Sequence, residues 1–261
     1  DEMRAFCEKN YLFLIEDAAQ GVGVRYQCKQ KCSLDKDCTS CIGEKFKHVG
    51  TFGVAGILSF YGNKTMTCGE GGLILTDDDE IAKKCYRLKN HGRDVKGIFT
   101  HEHIGFNFSF TEMQAAVGVA QFKKLDKFIK LRKINRNKII NSLRADVRWN
   151  EQVQFLKENK YVKPSWFGLV MTINKKFKYK KEKIMRNMEI MGVENRPIIS
   201  GNFTRQPALK KYNLIKKNQS FPNADLVDDL GFMIGLSYQI IPNVQLKKLK
   251  NIFFKSFLNV K

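Results

Sequence analysis

Three short apolar runs in the first 78 residues limit what this chain can fold into. YLFLIED (11–17) and GGLILTDD (71–78) are short apolar runs closed by acids, and VGTFGVAGILSFYG (49–62) is an apolar run punctuated by glycine. Runs of that length read as strands, the first as a buried strand of the parallel type. Helical periodicity follows the third run. DDEIAKKCYRLKNHG (78–92) has acids at its start, Ile81, Cys85 and Leu88 on one face, and a glycine after its end. TEMQAAVGVAQFKKLDKFIKLRKINRNKIINSL (111–143) reads as one long helix with Thr111 as N-cap. Its first half is apolar nearly all round and is expected to be buried; its second half is amphipathic and basic. Further on come a strand in WFGLVMTI (166–173), a helix in KEKIMRNMEIMG (181–192) and a last helix near 243–258. Alternating strands and helices define an α/β class. Composition shifts inside the long helix, so residues 1–127 and 128–261 are expected to form two domains, the first interrupted by a cysteine-rich insert at 28–41.

The 46 Lys and Arg against 26 Asp and Glu give a net charge of +20, with many lysines in KKFKYKKEK, LKKYNLIKK and QLKKLKN. Such a surplus suits polyanions (nucleic acid, an anionic membrane, phosphorylated small molecules) or simply solvated helix faces. No RNA-binding or helix-turn-helix signature accompanies it, so nucleic acid is not the expected partner. No apolar stretch reaches 18 residues, and a membrane span is not expected. The apolar run of DEMRAFCEKNYLFLIED is short and ends in two acids, unlike a signal peptide. Seven cysteines, an odd number without a secretory leader, point to a reducing, cytoplasmic setting.

Four of those cysteines cluster in QCKQKCSLDKDCTSC. Cys28, Cys32, Cys38 and Cys41 could wrap a structural tetrahedral zinc, with His48 as a substitute ligand; the alternative is an inserted surface loop with free thiols. His91 in NHG reads as structural. His101 and His103, two apart, make a poor metal site. Trp149 and Trp166 read as core or interface.

Chemistry concentrates at predicted strand ends. Glu16 and Asp17 close the first strand, and in open α/β sheets ligands sit beyond the carboxyl ends of strands. Lys64 stands alone among glycines in SFYGNKTMTCGEGG, five residues after Ser59. An amine there can react with an aldehyde, a hydroxyl can hold a phosphate, and a carboxylate can keep a pyridine nitrogen protonated. Together they suggest pyridoxal 5'-phosphate (PLP), whose ring serves as an electron sink.

LIEDAAQGVG, GTFG, SFYGNKTMTCGEGGLILTDD, RLKNHGRD and GFNFSFTEMQAAVGVAQFKKLD, in this order and spacing, resemble the DegT/DnrJ/EryC1/StrS family of PLP-dependent sugar aminotransferases. The match covers most of residues 11–130. PSWFG (164–168) and ENRPIISGNFTRQP (194–207) resemble the branch that includes the CDP-4-keto-6-deoxyglucose 3-dehydratases. The resemblance implies a fold-type I architecture: an incomplete, mostly parallel mixed sheet in the large domain and a smaller α/β C-terminal domain. It implies that Lys64 is the Schiff-base lysine and proton shuttle, that Asp17 partners the pyridine nitrogen, and that Gln20 packs by the ring. Ser59 resembles a phosphate ligand. Asn107 resembles the residue that reaches the cofactor of the neighbouring subunit, which implies a homodimer with shared active sites. Arg196, Asn202 and Arg205 are candidate substrate ligands, since guanidinium forks suit a diphosphate or sugar hydroxyls. The implied reaction takes an amino group from a donor such as glutamate to a nucleotide-linked keto-sugar.

Three departures qualify the resemblance. The dehydratases of this branch carry histidine where Lys64 stands, which favours transamination over a pyridoxamine-dependent 3-dehydration. A basic residue common two positions after Asn107 is Ser109 here. Family chains run about half as long again, and the part before residue 1 normally supplies phosphate-binding amides at a helix N-terminus and a ring-stacking aromatic. The chain is therefore expected to be a member lacking its N-terminal third: a fragment, one piece of a split protein, or an inactive relative serving as a partner subunit.

Overall fold

The computed structural model describes residues 2–28, 46–94, 99–215 and 219–258. The described chain divides into two compact units, residues 1–129 with 158–165, and residues 130–157 with 166–261.

The first unit opens with α1 (Glu2–Lys9), followed by β1 (Ile15–Asp17), β2 (Arg25–Tyr26), β3 (Lys47–His48), β4 (Ala55–Ser59), β5 (Gly72–Leu75), α2 (Asp79–Lys89) and α3 (Glu112–Phe122). Helix α4 (Leu125–Arg144) runs on into the second unit, which holds β6 (Val153–Phe155); β7 (Val162–Lys163) returns to the first. The sequence places a strand over residues 11–17, but only its last three residues pair, because the remainder faces no strand: Tyr11 is 96% and Phe13 83% exposed. The preceding residues form a helix instead, with Glu2 in its first turn, Lys9 in its last, and an Arg4–Glu8 pair one turn apart at 2.9 Å.

The sheet of this unit is mixed, in the order β1-β4-β5. β1 runs parallel to β4, and β5 runs antiparallel to it. A Cβ on Gly56 would lie 2.1 Å from the Gly50 carbonyl oxygen, so glycine is what lets β4 pass against the GTFG turn. A short sheet, β3-β2-β7, lies apart from it. The long helix expected over 111–143 is two helices. α3 begins at Thr111 with a capping box: the Thr111 side chain accepts from the Gln114 amide, and the Gln114 side chain accepts from the Thr111 amide. The expectation that this apolar segment is buried is not met. α3 has no buried residue, and Met113 (80%), Val119 and Phe122 stand in solvent. An all-round apolar helix needs neighbours on every side, and the described residues furnish them on only part of it.

The second unit adds β8 (Gly168–Ile173), α5 (Lys181–Ile190), β9 (Asn195–Pro197), α6 (Pro207–Lys211), α7 (Pro222–Leu230), β10 (Gly231–Gly235) and α8 (Asn243–Leu258). Its antiparallel sheet, β6-β8-β10-β9, pairs Met171 with Phe232. Leu169, Met171, Ile173, Phe232, Ile184 and Met188 are essentially inaccessible and pack with Phe253, Phe254 and Phe257 of α8. Burial of each such side chain contributes roughly 1.5–3 kcal/mol. Trp166 joins this core, with the Arg136 guanidinium 4.1 Å from its ring centroid. Trp149 packs on its margin, stacked on Phe155. Asn135, fully buried, donates to the Ser237 and Gln239 carbonyls and accepts from the Ile241 amide, tying α4 to the 237–241 loop.

Candidate active site

Strand alternation sorts the two acids of β1. Glu16 turns to the GTFG loop: Oε2 accepts the Gly50 amide at 2.8 Å, and Oε1 accepts those of Phe52 (2.5 Å) and Gly53 (2.9 Å). Asp17, on the opposite face, is exposed, and among the described residues its Oδ1 accepts the Ala19 amide at 3.1 Å. In the parallel register Asp17 sits opposite Ile57, so Ser59 lies two residues farther along the neighbouring strand. Both side chains therefore stand at the carboxyl edge of the parallel pair, where α/β sheets place ligands. Ser59 Oγ accepts the Tyr61 amide at 3.3 Å.

Lys64 rides on the loop that joins β4 to β5. The loop is closed at its base by Phe60 N–H to the Gly71 carbonyl (2.8 Å) and by Cys68 N–H to the Phe60 carbonyl (2.9 Å). Thr67 Oγ1 reinforces the closure by donating to the same Phe60 carbonyl. Thr65 and Met66, 5% and 6% exposed, anchor the chain directly after Lys64, whose own amide donates to the Tyr61 carbonyl. The Lys64 side chain is half-buried, and no hydrogen bond or ion pair of its amine is found among the described residues. Gln114 ties the loop to α3, its Nε2 donating to the Glu70 carbonyl at 3.0 Å. Burial pushes the Cys68 thiol above its ordinary pKa, so it stays protonated and donates to the Glu70 carbonyl.

The remaining predicted residues are placed as follows. Gln20 is exposed after the turn that follows Asp17. Asn107 bridges Asn90 through the backbone and accepts the Ser109 hydroxyl at 2.8 Å; the amides of Phe106 and Phe108 donate to Leu88 and Lys89, which pins GFN to the end of α2. No hydrogen bond links Asn107 to Asp17, Ser59 or Lys64 among the described residues. His91 sits at this junction with φ 59°, its amide donating to the Phe106 carbonyl.

Arg196, Asn202 and Arg205 belong to the second unit. Arg196 pairs with Glu194 at 2.8 Å. Asn202, 4% exposed, accepts from Thr204 and donates to Asp225. Arg205 meets Asp225, Asp228 and Asp229 at 2.5–2.7 Å, and these carboxylates raise its pKa further. Both ring nitrogens of His48 are engaged, Nε2 by the Gly23 amide (2.8 Å) and Nδ1 by the Val49 carbonyl (2.5 Å), so this ring is not free to serve as a metal ligand. Of the cysteine cluster, Cys28 is described; Cys32, Cys38 and Cys41 lie outside the described residues. The structural tasks of Glu16 and Asn135 were not read from the sequence, although the acid directly before Asp17, with GTFG downstream, was a visible signal for the first.

A lysine-bearing loop beside paired strand ends, on a mixed α/β unit followed by a smaller α/β unit, defines the class of fold-type I transferases. The chain belongs to the DegT/DnrJ/EryC1/StrS aminotransferase family, whose profile matches residues 1–251. It is 29% identical over 257 residues to the GDP-perosamine synthase of Vibrio cholerae, covering 98% of this chain and 62% of that protein. It is also 29% identical over 221 residues to the GDP-4-keto-6-deoxy-D-mannose 3-dehydratase of Escherichia coli O55:H7, covering 77% of this chain and 55% of that one. Among solved structures, the E. coli GDP-4-keto-6-deoxy-D-mannose-3-dehydratase with bound hydrated PLP superposes with a TM-score of 0.75 at 24% identity, over 97% of this chain and 63% of that one. The chain thus spans less than two thirds of these relatives.

Proposed function

We propose that this chain carries the lysine-bearing part of a PLP-dependent sugar aminotransferase. The enzyme moves an amino group, with glutamate as donor, onto a nucleotide-linked keto-sugar for surface-polysaccharide or glycan sugar biosynthesis. The observation that carries the reading is Lys64, an amine without a partner among the described residues, on the loop that leaves β4 beside the Asp17 strand end. The donor set fits PLP: a carboxylate for its ring nitrogen, a hydroxyl for its phosphate and an amine for its aldehyde. We assign residues 1–127 to the C-terminal part of the cofactor domain and 128–261 to the small domain of a cytoplasmic homodimer.

When bound, PLP supplies an electron sink for the negative charge that develops on the carbon next to the transferred nitrogen. Asp17 would hold the proton on the ring nitrogen. The Lys64 amine would take the proton from the donor carbon and deliver it to the cofactor's C4′, then carry a proton the opposite way onto the sugar carbon, a general base and acid on one flexible side chain. Ser59 Oγ would hold the phosphate, Gln20 would flank the ring, and Asn107 would serve the neighbouring subunit. Arg196, Asn202 and Arg205 are the weaker assignments, since each is already engaged within its own unit.

A sugar 3-dehydratase is the second reading, favoured by the E. coli relative and opposed by Lys64. The test is borohydride reduction of the PLP-treated chain, peptide mapping, and product analysis with nucleotide-linked keto-sugars. Reductive fixation on Lys64 with an amino-sugar product supports the aminotransferase. A 3-deoxy keto-sugar product supports the dehydratase. A folded chain that fixes no cofactor at Lys64 and yields no amino sugar overturns the aminotransferase reading for this chain. The dehydratase, which needs no bond between lysine and cofactor, is then judged by its product; with neither product, a fragment or partner-subunit role remains.

A further inference from the structure

The net charge of +20 is not shared between the two units. Residues 130–157 with 166–261 contain 26 Lys and Arg against 8 Asp and Glu, whereas the other unit has 20 against 18. Nearly the whole surplus therefore belongs to the second unit, a field that acts on partners rather than on folding.

Part of it is organised. Helix α8 buries Ile252, Phe253, Phe254 and Phe257, which turns Val244, Lys247, Lys248 and Lys255 outward. Lys247, Lys248, Asn251 and Lys255 line a shallow groove with Met191 and Val244, and no acid lines it. Among the described residues none of these three lysines has a carboxylate partner. A second groove shares Lys247 and Asn251 and continues along the helix to Lys250 and Arg148; there Asp146 is the one acid, held by two cations. Apolar side chains stand among the lysines: Val244 is 81% and Leu258 69% exposed, one helical turn from Lys247–Lys248 and Lys255 respectively.

We propose that the outer face of α8 is a docking surface for an anionic lipid bilayer, held at the headgroup level. Charge complementarity names the partner: long lysine stems lie along apolar surface while their ammonium groups reach phosphates. Exposed Val244 and Leu258 suit the headgroup boundary, not a nucleic acid backbone. The first groove offers neither an aromatic platform for bases nor a guanidinium fork for base edges, and the Arg148 guanidinium of the second is engaged by Asp146. Among the described residues no helix is long and apolar enough to cross a membrane; the contact proposed is one of side chains on α8 with headgroups. This surface is independent of the PLP reading.

The experiment is co-sedimentation of the full chain with vesicles of phosphatidylcholine alone or with phosphatidylserine, at low and physiological salt, with duplex DNA and single-stranded RNA as competitors. Binding is expected only with phosphatidylserine and is weakened by salt. Each lysine near the surface contributes roughly five-fold, so Lys247→Gln/Lys248→Gln/Lys255→Gln should lower the partition on the order of 100-fold. Lys123→Gln/Lys124→Gln in the first unit should leave it unchanged; an unchanged melting temperature shows that both variants fold. Equal binding to both vesicle types, no binding at low salt, an equal loss in both variants, or tighter lysine-dependent binding to nucleic acid would each overturn the proposal.

Discussion

The Glu16 carboxylate accepts the Phe52 amide at 2.5 Å while also holding those of Gly50 and Gly53, so one side chain fixes the GTFG turn against the strand that presents Asp17. Three amides on one ionised carboxylate form charge-assisted bonds, stronger than neutral ones. Glu16→Gln replaces one acceptor oxygen by an NH2 facing amide donors. The expected loss is about 2 kcal/mol, a fall in melting temperature on the order of 5 °C. Thermal unfolding followed by circular dichroism checks it; an unchanged melting temperature would mean these bonds are not maintained in solution.

Asp17→Asn separates chemistry from folding. The Asn side-chain oxygen can still accept the Ala19 amide, and the position is exposed, so stability should not change. The negative charge proposed to hold the ring proton is lost. Turnover of the cofactor-loaded enzyme should fall by at least about 100-fold, with melting temperature as the control. Activity within a few-fold of the parent would remove Asp17 from the mechanism.

Gly71 closes the loop that carries Lys64. A Cβ there would lie 2.5 Å from the Phe110 ring and 2.6 Å from Cys68 Sγ. Because Cys68 is buried and hydrogen-bonded to the Glu70 carbonyl, it cannot move aside freely. Gly71→Ala should destabilise by about 1–3 kcal/mol and shift the loop, lowering the yield of borohydride-fixed cofactor at Lys64. Gly69→Ala is the contrasting case: nothing lies within 4 Å of its Cβ, but its φ of +85° resists a side chain, so a smaller loss without crowding is expected.

These cases show what the sequence could disclose. β4, β5, β8, α2, α5 and α8 were legible because their patterns are local: caps, apolar spacing and terminal glycines; the two-residue strands β2, β3 and β7 were not, because so short a run carries no period. The strand ends that carry Asp17 and Ser59 followed from the same reading. The division of labour between Glu16 and Asp17 did not, because adjacent acids look alike until alternation sends one to the GTFG amides. Burial of α3 was misjudged for the opposite reason. Its composition records a demand for apolar neighbours, and sequence alone does not say whether this chain supplies them. Arg205 looked like a free anion ligand because its three carboxylate partners lie 20 or more residues away.

Asp146 provides the pH-dependent prediction. Arg148 grips it twice, Nε to Oδ1 at 2.7 Å and Nη2 to Oδ2 at 2.9 Å, and Lys250 adds a contact at 3.0 Å. Chiefly through the Arg148 hydrogen bonds, with Lys250 assisting, its carboxyl is held well below the usual carboxylate range. A depressed folded-state pKa means that the unfolded chain binds the proton more readily. The stabilisation is therefore complete above the unfolded value of about 3.9 and declines as pH falls toward the folded value. Asp146→Asn should be less stable than the parent by a constant margin at pH 5 and above. That margin should begin to narrow below about pH 4 and keep narrowing while both proteins remain folded. Urea midpoints measured across this range read the difference directly. A margin that stays constant down to the acid limit would show that Asp146 contributes through shape and not through charge, and the ion-pair account of the junction between α4 and α8 would have to be abandoned.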